Sequence, residues 1–313
     1  MLRFVLRRLA SGVVLIVAIS VLTFFLLYAA GGDVARRILG PQATAESIQA
    51  KQHELGLDQP ILVQFGHWLS NALGGDFGAS WFDNLPVSQV MNSRLPVTLS
   101  LVFGATLITA VASVLLGVLA ARRGGWVDRL VQFVSVLGFA VPGFLVAIGL
   151  VLVFAIKLGL AAPTGYTQFT DSPTGWLSSI LLPAIALSIG SIAGVSQQLR
   201  GSILDAQRQD WVRVLRSHGL PESRVLYAHV LRNAAGPALS VLGLQFVGLI
   251  GGAVIVEQIF AIPGLGQVAV TATSHGDVPV VMGLVIVVGA IVVVLNLLVD
   301  LLLGWLNPKV RRA

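Results

Sequence analysis

Apolar residues fall into six long runs, near 9–30, 97–121, 131–158, 178–199, 237–258 and 280–304, with more polar stretches of varied length between them. A helix needs about 20 apolar residues to cross roughly 30 Å of hydrocarbon. Each run meets that length, so the pattern predicts an all-α bundle of six membrane-spanning helices. Arg3, Arg7 and Arg8 precede the first run, as basic residues precede a signal peptide. A signal core is only about 7–15 residues long, and no small-x-small cleavage site follows here, so the run reads as an uncleaved anchor. Pro142, flanked by Gly138 and Gly143, predicts a kink in the third span, because proline removes a helical hydrogen bond. Gly190 with Gly194, and Gly248 with Gly252, predict close helix contacts in the fourth and fifth spans.

Two polar segments are long enough to carry structure. In 31–95, Asp58 and Pro60 read as a helix start, and Ile61, Phe65, Trp68, Leu69 and Ala72 recur at helical spacing. This predicts an amphipathic helix lying on the spans or on membrane lipid, closed by Gly74, Gly75 and Gly78. In 200–236, Asp205, Arg208, Arg213 and Arg216 load a first helix. His218-Gly219 reads as its stop, and Leu220-Pro221 leads into a second helix with Glu222 in the first turn.

Charge orients the bundle. With the N-terminus in the cytoplasm, fifteen of the twenty basic residues fall inside and five (Arg36, Arg37, Lys51, Arg94 and Lys157) outside. The positive-inside rule therefore predicts both termini inside, with 31–95 external and 200–236 cytoplasmic. The net charge of +6 is absorbed by this asymmetry. The basic helix pair is flanked by spans at both ends, which excludes nucleic acid as its partner.

Composition agrees: 56% of residues are hydrophobic and 11% charged, against about 25% charged in soluble domains. Cysteine is absent, which removes disulfides and thiolate metal sites, and the five histidines show no metal-ligand spacing. No Gly-Lys dipeptide occurs, so there is no P-loop to cradle ATP, and no Gly-x-Ser-x-Gly marks a nucleophile. The chain is expected to bind no cofactor or metal and to hold no catalytic residue. Asn296 and Asp300 form a polar pair one turn apart in the sixth span, and Glu257 lies near the outer end of the fifth, where it is a candidate pore-mouth contact. A carboxylate at membrane depth costs about 2.5–3.5 kcal/mol on insertion scales, so each should face protein or water.

Several ordered blocks carry a resemblance: Leu55-Gly56-Leu57-Asp58-Gln59-Pro60, Gly75-Asp76-Phe77-Gly78, Arg94-Leu95-Pro96-Val97-Thr98-Leu99, Arg208-Gln209-Asp210-Trp211-Val212-Arg213, Gly251-Gly252-Ala253-Val254-Ile255-Val256-Glu257, Pro263-Gly264-Leu265-Gly266, Asn296 to Asp300, and Asn307-Pro308. Together they make the chain resemble the permease subunits of ATP-binding-cassette importers of the dipeptide, oligopeptide and nickel group, in particular the first of the two permeases. The resemblance implies a type I importer fold over 1–313, with an external insert, a core from about 96 to 305, and a coupling helix that docks on an ATPase. Asp210, Arg213, Arg216, Gly219, Leu220 and Pro221 match the coupling region. The family's Glu-Ala-Ala pattern, six residues before the glycine, is replaced by Arg213-Val214-Leu215. Also implied are a second permease, two ATPase subunits that bind ATP and Mg, an extracytoplasmic substrate-binding protein, and a place in the cell membrane. The function it implies is half of a translocation pore for di- or oligopeptides, with nickel or another small solute as the alternative cargo. An ion-coupled carrier is the alternative of a different class, and a clear internal repeat would favour it.

Overall fold

The computed structural model describes residues 2–29, 34–160 and 164–306. Asn307-Pro308 and the basic residues Lys309, Arg311 and Arg312 lie outside them. Among the described residues the regular structure is helical, apart from one isolated bridge between Ala79 and Pro86. In chain order the helices are α1 (Leu2–Ala29), α2 (Val34–Leu39), α3 (Ala45–Glu54), α4 (Ile61–Leu73), α5 (Val87–Arg123), α6 (Gly125–Ala140), α7 (Gly143–Leu150), α8 (Pro173–Gln207), α9 (Asp210–Ser217), α10 (Glu222–Arg224), α11 (Leu231–Ile259), α12 (Leu265–His275) and α13 (Val278–Leu306).

Among the described residues, five helical stretches are long and apolar enough to span a bilayer: Phe4–Ala29, Val87–Arg123, Pro173–Gln207, Glu222–Ile259 and Val278–Gly304. The sixth expected span is the pair formed by α6 and by α7 with its π-helical extension Val151–Lys157, bent by 97°. The bend falls where Pro142 interrupts the hydrogen-bond ladder, so the expected kink is a full break.

Both helices that border the 200–236 segment run into it. α8 continues to Gln207, which places Arg200 and Asp205 on the span helix and not on a separate basic helix. On the other side, α10, a π turn at Val225–Val230 and α11 form one continuous helix from Glu222 to Ile259. The extra-span segment is therefore about 208–221. Apolar periodicity ends where side chains meet water, but the backbone ladder continues for as long as its end residues can be solvated or paired.

The chain divides into two compact units. The first comprises, of the described residues, those within 98–263 and 295–306. Its centre is α8, whose buried face is built from small residues, including Ala184, Ala186, Ser188, Ala193 and Ser196, against α5, α6, α7 and α11. Small side chains let helices approach where lipid supplies no hydrophobic drive.

The second unit comprises 2–97 and 264–294. Here α4 presents the expected face: Ile61, Phe65, Trp68, Leu69 and Ala72 are half-buried, while Leu62, Val63, Gly66 and His67 are exposed. Phe65 meets Phe24 of α1 edge-on, with ring centroids 5.2 Å apart. Asp58 does not cap this helix. Pro60 occupies the cap without a side-chain bond, and Asp58 instead meets His53 Nδ1 at 2.7 Å, which holds its carboxyl below the usual range. The segment before α5 is tied to the α12–α13 corner. Ser80 Oγ donates to the buried Asp277 at 2.5 Å, and the Trp81 amide donates to the same carboxylate at 3.3 Å. Arg37 caps the end of α12 by donating to the carbonyls of Ser274 and His275, both at 3.2 Å.

Candidate functional site

The turn that joins α8 to the Glu222–Ile259 helix gathers the six expected coupling residues. α9 is only eight residues long, well below the length at which an isolated helix is stable in water, so packing must hold it. Val212 is fully buried in a cluster with Val118 of α5, Leu199 and Ile203 of α8, and Val225, Leu226, Val230, Ala234 and Ala238 of the following helix. Trp211, Leu215 and Leu220 pack against the same cluster. The π turn places Val225, Leu226 and Val230 on this side, so the foot of the long helix and α9 share one core.

Gly219 ends α9 as the sequence predicts. Its φ is +75°, in the left-handed region that favours glycine. The Gly219 amide donates to Arg216 O at 2.9 Å and the Leu220 amide to Leu215 O at 3.4 Å. That pair of bonds is the Schellman arrangement, and Leu220 and Leu215 both pack against the same buried cluster. Pro221 then caps the next helix with extended backbone.

Asp210, Arg213, Val214, Arg216, Ser217, His218, Pro221 and Glu222 are exposed. Arg213 Nη1 lies 3.2 Å from Asp210 Oδ1, and Arg216 donates from Nε to Glu222 Oε1 at 2.9 Å. The Glu222 carboxylate holds the Arg216 guanidinium above its usual pKa and bridges the two sides of the Gly219 turn. The replacement at Arg213-Val214-Leu215 divides by direction: Leu215 turns inward and fills the core, whereas Val214 stands on the solvent face. A bulky residue at the inward position is therefore accommodated by packing.

The remaining sequence candidates lie elsewhere. Glu257 is fully buried within the first unit and accepts a hydrogen bond from Thr98 Oγ1 at 2.5 Å. Asn296 is exposed and Asp300 half-buried, one turn apart on α13.

Two features of this unit escaped the sequence reading. Arg200 forms a two-pronged ion pair with Asp128, with Nη2 to Oδ2 at 2.5 Å, and Gln132 donates to the same carboxylate at 3.0 Å. This fork ties the first turn of α6 to α8. Both residues are mostly shielded, so removing one would leave a costly unpaired charge. Their 72-residue separation hid the pairing. A helix-start acid and a span-end arginine on the same predicted side were the available signal. The second feature is Gln245, a half-buried carboxamide in the middle of an apolar span.

Residues 113–312 match the family described as binding-protein-dependent transport system inner membrane component, and residues 1–102 match the N-terminal model of such membrane components. A Brucella abortus (strain 2308) protein, named for a peptide transport system permease, is 41% identical over 312 residues, 99% of each chain. The oligopeptide transport system permease protein AppB of Bacillus subtilis (strain 168) is 34% identical over 99% of this chain and 100% of its own. The glutathione transport system permease protein GsiC of Escherichia coli O1:K1 / APEC is 35% identical over 99% of both. The inward-facing MetNI methionine ABC transporter shares the fold over 70% of this chain and 97% of its own, with a TM-score of 0.57 at 14% identity.

Proposed function

The chain belongs to the binding-protein-dependent transport system inner membrane components, the permease subunits of ABC importers, and from that premise we propose that it forms half of a peptide translocation path. Its names-in-kind support the cargo class: the relatives above are named for peptide, oligopeptide and glutathione systems. A homologous permease would complete the path, an extracytoplasmic binding protein would deliver peptides, and two ATPase subunits would bind ATP and Mg on the cytoplasmic side. Both termini lie in the cytoplasm on this reading, which the basic asymmetry supports. The chain itself catalyses nothing.

The observation that carries the coupling role is the division of labour in α9. One face is locked by Val212 and Leu215 into the core that holds the foot of the Glu222–Ile259 helix, and the other offers Asp210, Arg213 and Val214 to solvent. A partner pressing on the exposed face moves a span. ATP-driven closure of the ATPase pair would thus tilt the bundle between outward and inward openings. Arg213→Glu tests this in the full assembly. Reversing a charge at a docking face is expected to abolish peptide uptake and peptide-stimulated ATPase activity while membrane abundance stays normal, because the residue is exposed and contributes little to folding. Uptake at the wild-type rate would show that α9 is a solvated turn.

A further inference from the structure

The break between α6 and α7 opens backbone at membrane depth. Pro142 has no N–H, so the Gly138 carbonyl loses its usual helical donor. The amides of Leu145 and Val146 bond the Pro142 carbonyl, at 2.9 and 3.4 Å. Those of Gly143 and Phe144, at the start of α7, have no preceding carbonyl within their own helix. These groups border a pocket of about 440 Å³, walled on the other side by Ser191 of α8 and by Gln245 and Gly252 of α11. The Gln245 carboxamide is positioned: its Oε1 accepts from Ser191 Oγ at 3.4 Å, and its Nε2 rests against Gly194, where an added Cβ would stand 2.8 Å away.

Lipid cannot satisfy opened backbone or a carboxamide, so irregular backbone at this depth belongs against protein or a water-filled cavity. A dry apolar contact would leave the same groups unmet. We propose that this pocket is a cargo contact of the translocation path and that Gln245 engages the backbone amide of the passing peptide. A carboxamide donates and accepts as a peptide bond does, and glycine walls leave room for differing side chains, so the site would read the main chain and ignore sequence. The proposal rests on the peptide reading above.

The test uses the full assembly in liposomes, with partner subunits free of cysteine. This chain has no cysteine of its own. Gln245→Cys and Ser191→Cys are exposed to a small water-soluble methanethiosulfonate. Both should react, and a saturating mixture of alanine di-, tri- and pentapeptides should slow the reaction several-fold during turnover. Gln245→Leu should lower uptake of these peptides roughly tenfold, the loss of about one hydrogen bond in a shielded site. Gly194→Ala, which crowds the carboxamide without removing it, should fall between Gln245→Leu and wild type. Cysteines that stay unreactive, or react at a rate peptide does not change, overturn the assignment even if Gln245→Leu proves unstable. A wild-type assembly that takes up no peptide overturns the peptide reading, and this assignment with it. Peptide uptake with unprotected cysteines overturns the assignment alone.

Discussion

Replacing Gly219 with valine would ask a β-branched residue to hold φ near +75°. The left-handed conformation costs a side-chain-bearing residue roughly 1–2 kcal/mol, and more when it is branched at Cβ. No heavy atom lies within 4 Å of a Cβ built at this position, so the penalty is conformational and not a clash. Opposing it is the anchorage of α9: burying a valine such as Val212 completely contributes about 1.5–3 kcal/mol, and Leu215 adds to that. Anchorage exceeds strain, so α9 should stay docked while its exit deforms. The bonds from Gly219 and Leu220 then open, and Glu222 shifts relative to Arg216. A penalty of 1–2 kcal/mol changes the ratio of closed to open turn by a factor of roughly 5–30. In the full assembly, Gly219→Asn should remain near wild type, because asparagine tolerates this region. Gly219→Ala should be intermediate, and Gly219→Val should lose both uptake and peptide-stimulated ATPase activity. Membrane abundance should be unchanged, and hydrogen exchange should rise at 216–221 and not at 199–203. If the valine variant transports normally, the turn does not transmit force. If asparagine is as damaging as valine, the defect is not conformational.

Three further outcomes are expected. The purified chain should hydrolyse no ATP above background, since it has no Gly-Lys phosphate loop; turnover without partner subunits would refute this. In intact cells, Ala79→Cys should react with an impermeant thiol reagent from outside and Ser217→Cys should not, and the reverse pattern would invert the topology. Asp277 is pushed above the usual carboxylate range, chiefly by burial, with the Ser80 bond acting in the opposite direction. Its folded-state pKa exceeds the unfolded value, so the folded form binds more protons between the two, and stability should rise as pH falls through the raised pKa. Protection at 277–281, taken relative to the intrinsic exchange rate at each pH, should rise on mild acidification, Asp277→Asn should flatten that dependence, and an unchanged dependence in the variant would assign it to another group.

The spans were legible because their chemistry is local: twenty apolar residues, or a proline between glycines, declare a span or its break without reference to the rest of the chain. The Gly219 stop was legible for the same reason, since a left-handed turn after a short helix selects glycine. Residues whose environment is set by distant partners were harder to read. Asp58 resembles a cap in sequence, but its carboxylate meets His53. Arg200 reads as the first loop residue because it is charged, yet Asp128 keeps it within a continuing helix. The clamp of Ser80 on Asp277 joins residues 197 apart, and nothing in either neighbourhood announces it.

The turn around α9 keeps its scaffold and its display on different residues. Val212, Leu215 and Leu220 hold the element, and Asp210, Arg213 and Val214 stand in solvent. Substitutions in the second set leave the first untouched. The surface can therefore drift, and follow drift in its counterpart, without a detour through misfolded intermediates. On the docking role proposed above, permeases built this way would exchange ATPase partners by surface substitution alone, and rewriting three or four exposed positions would redirect one.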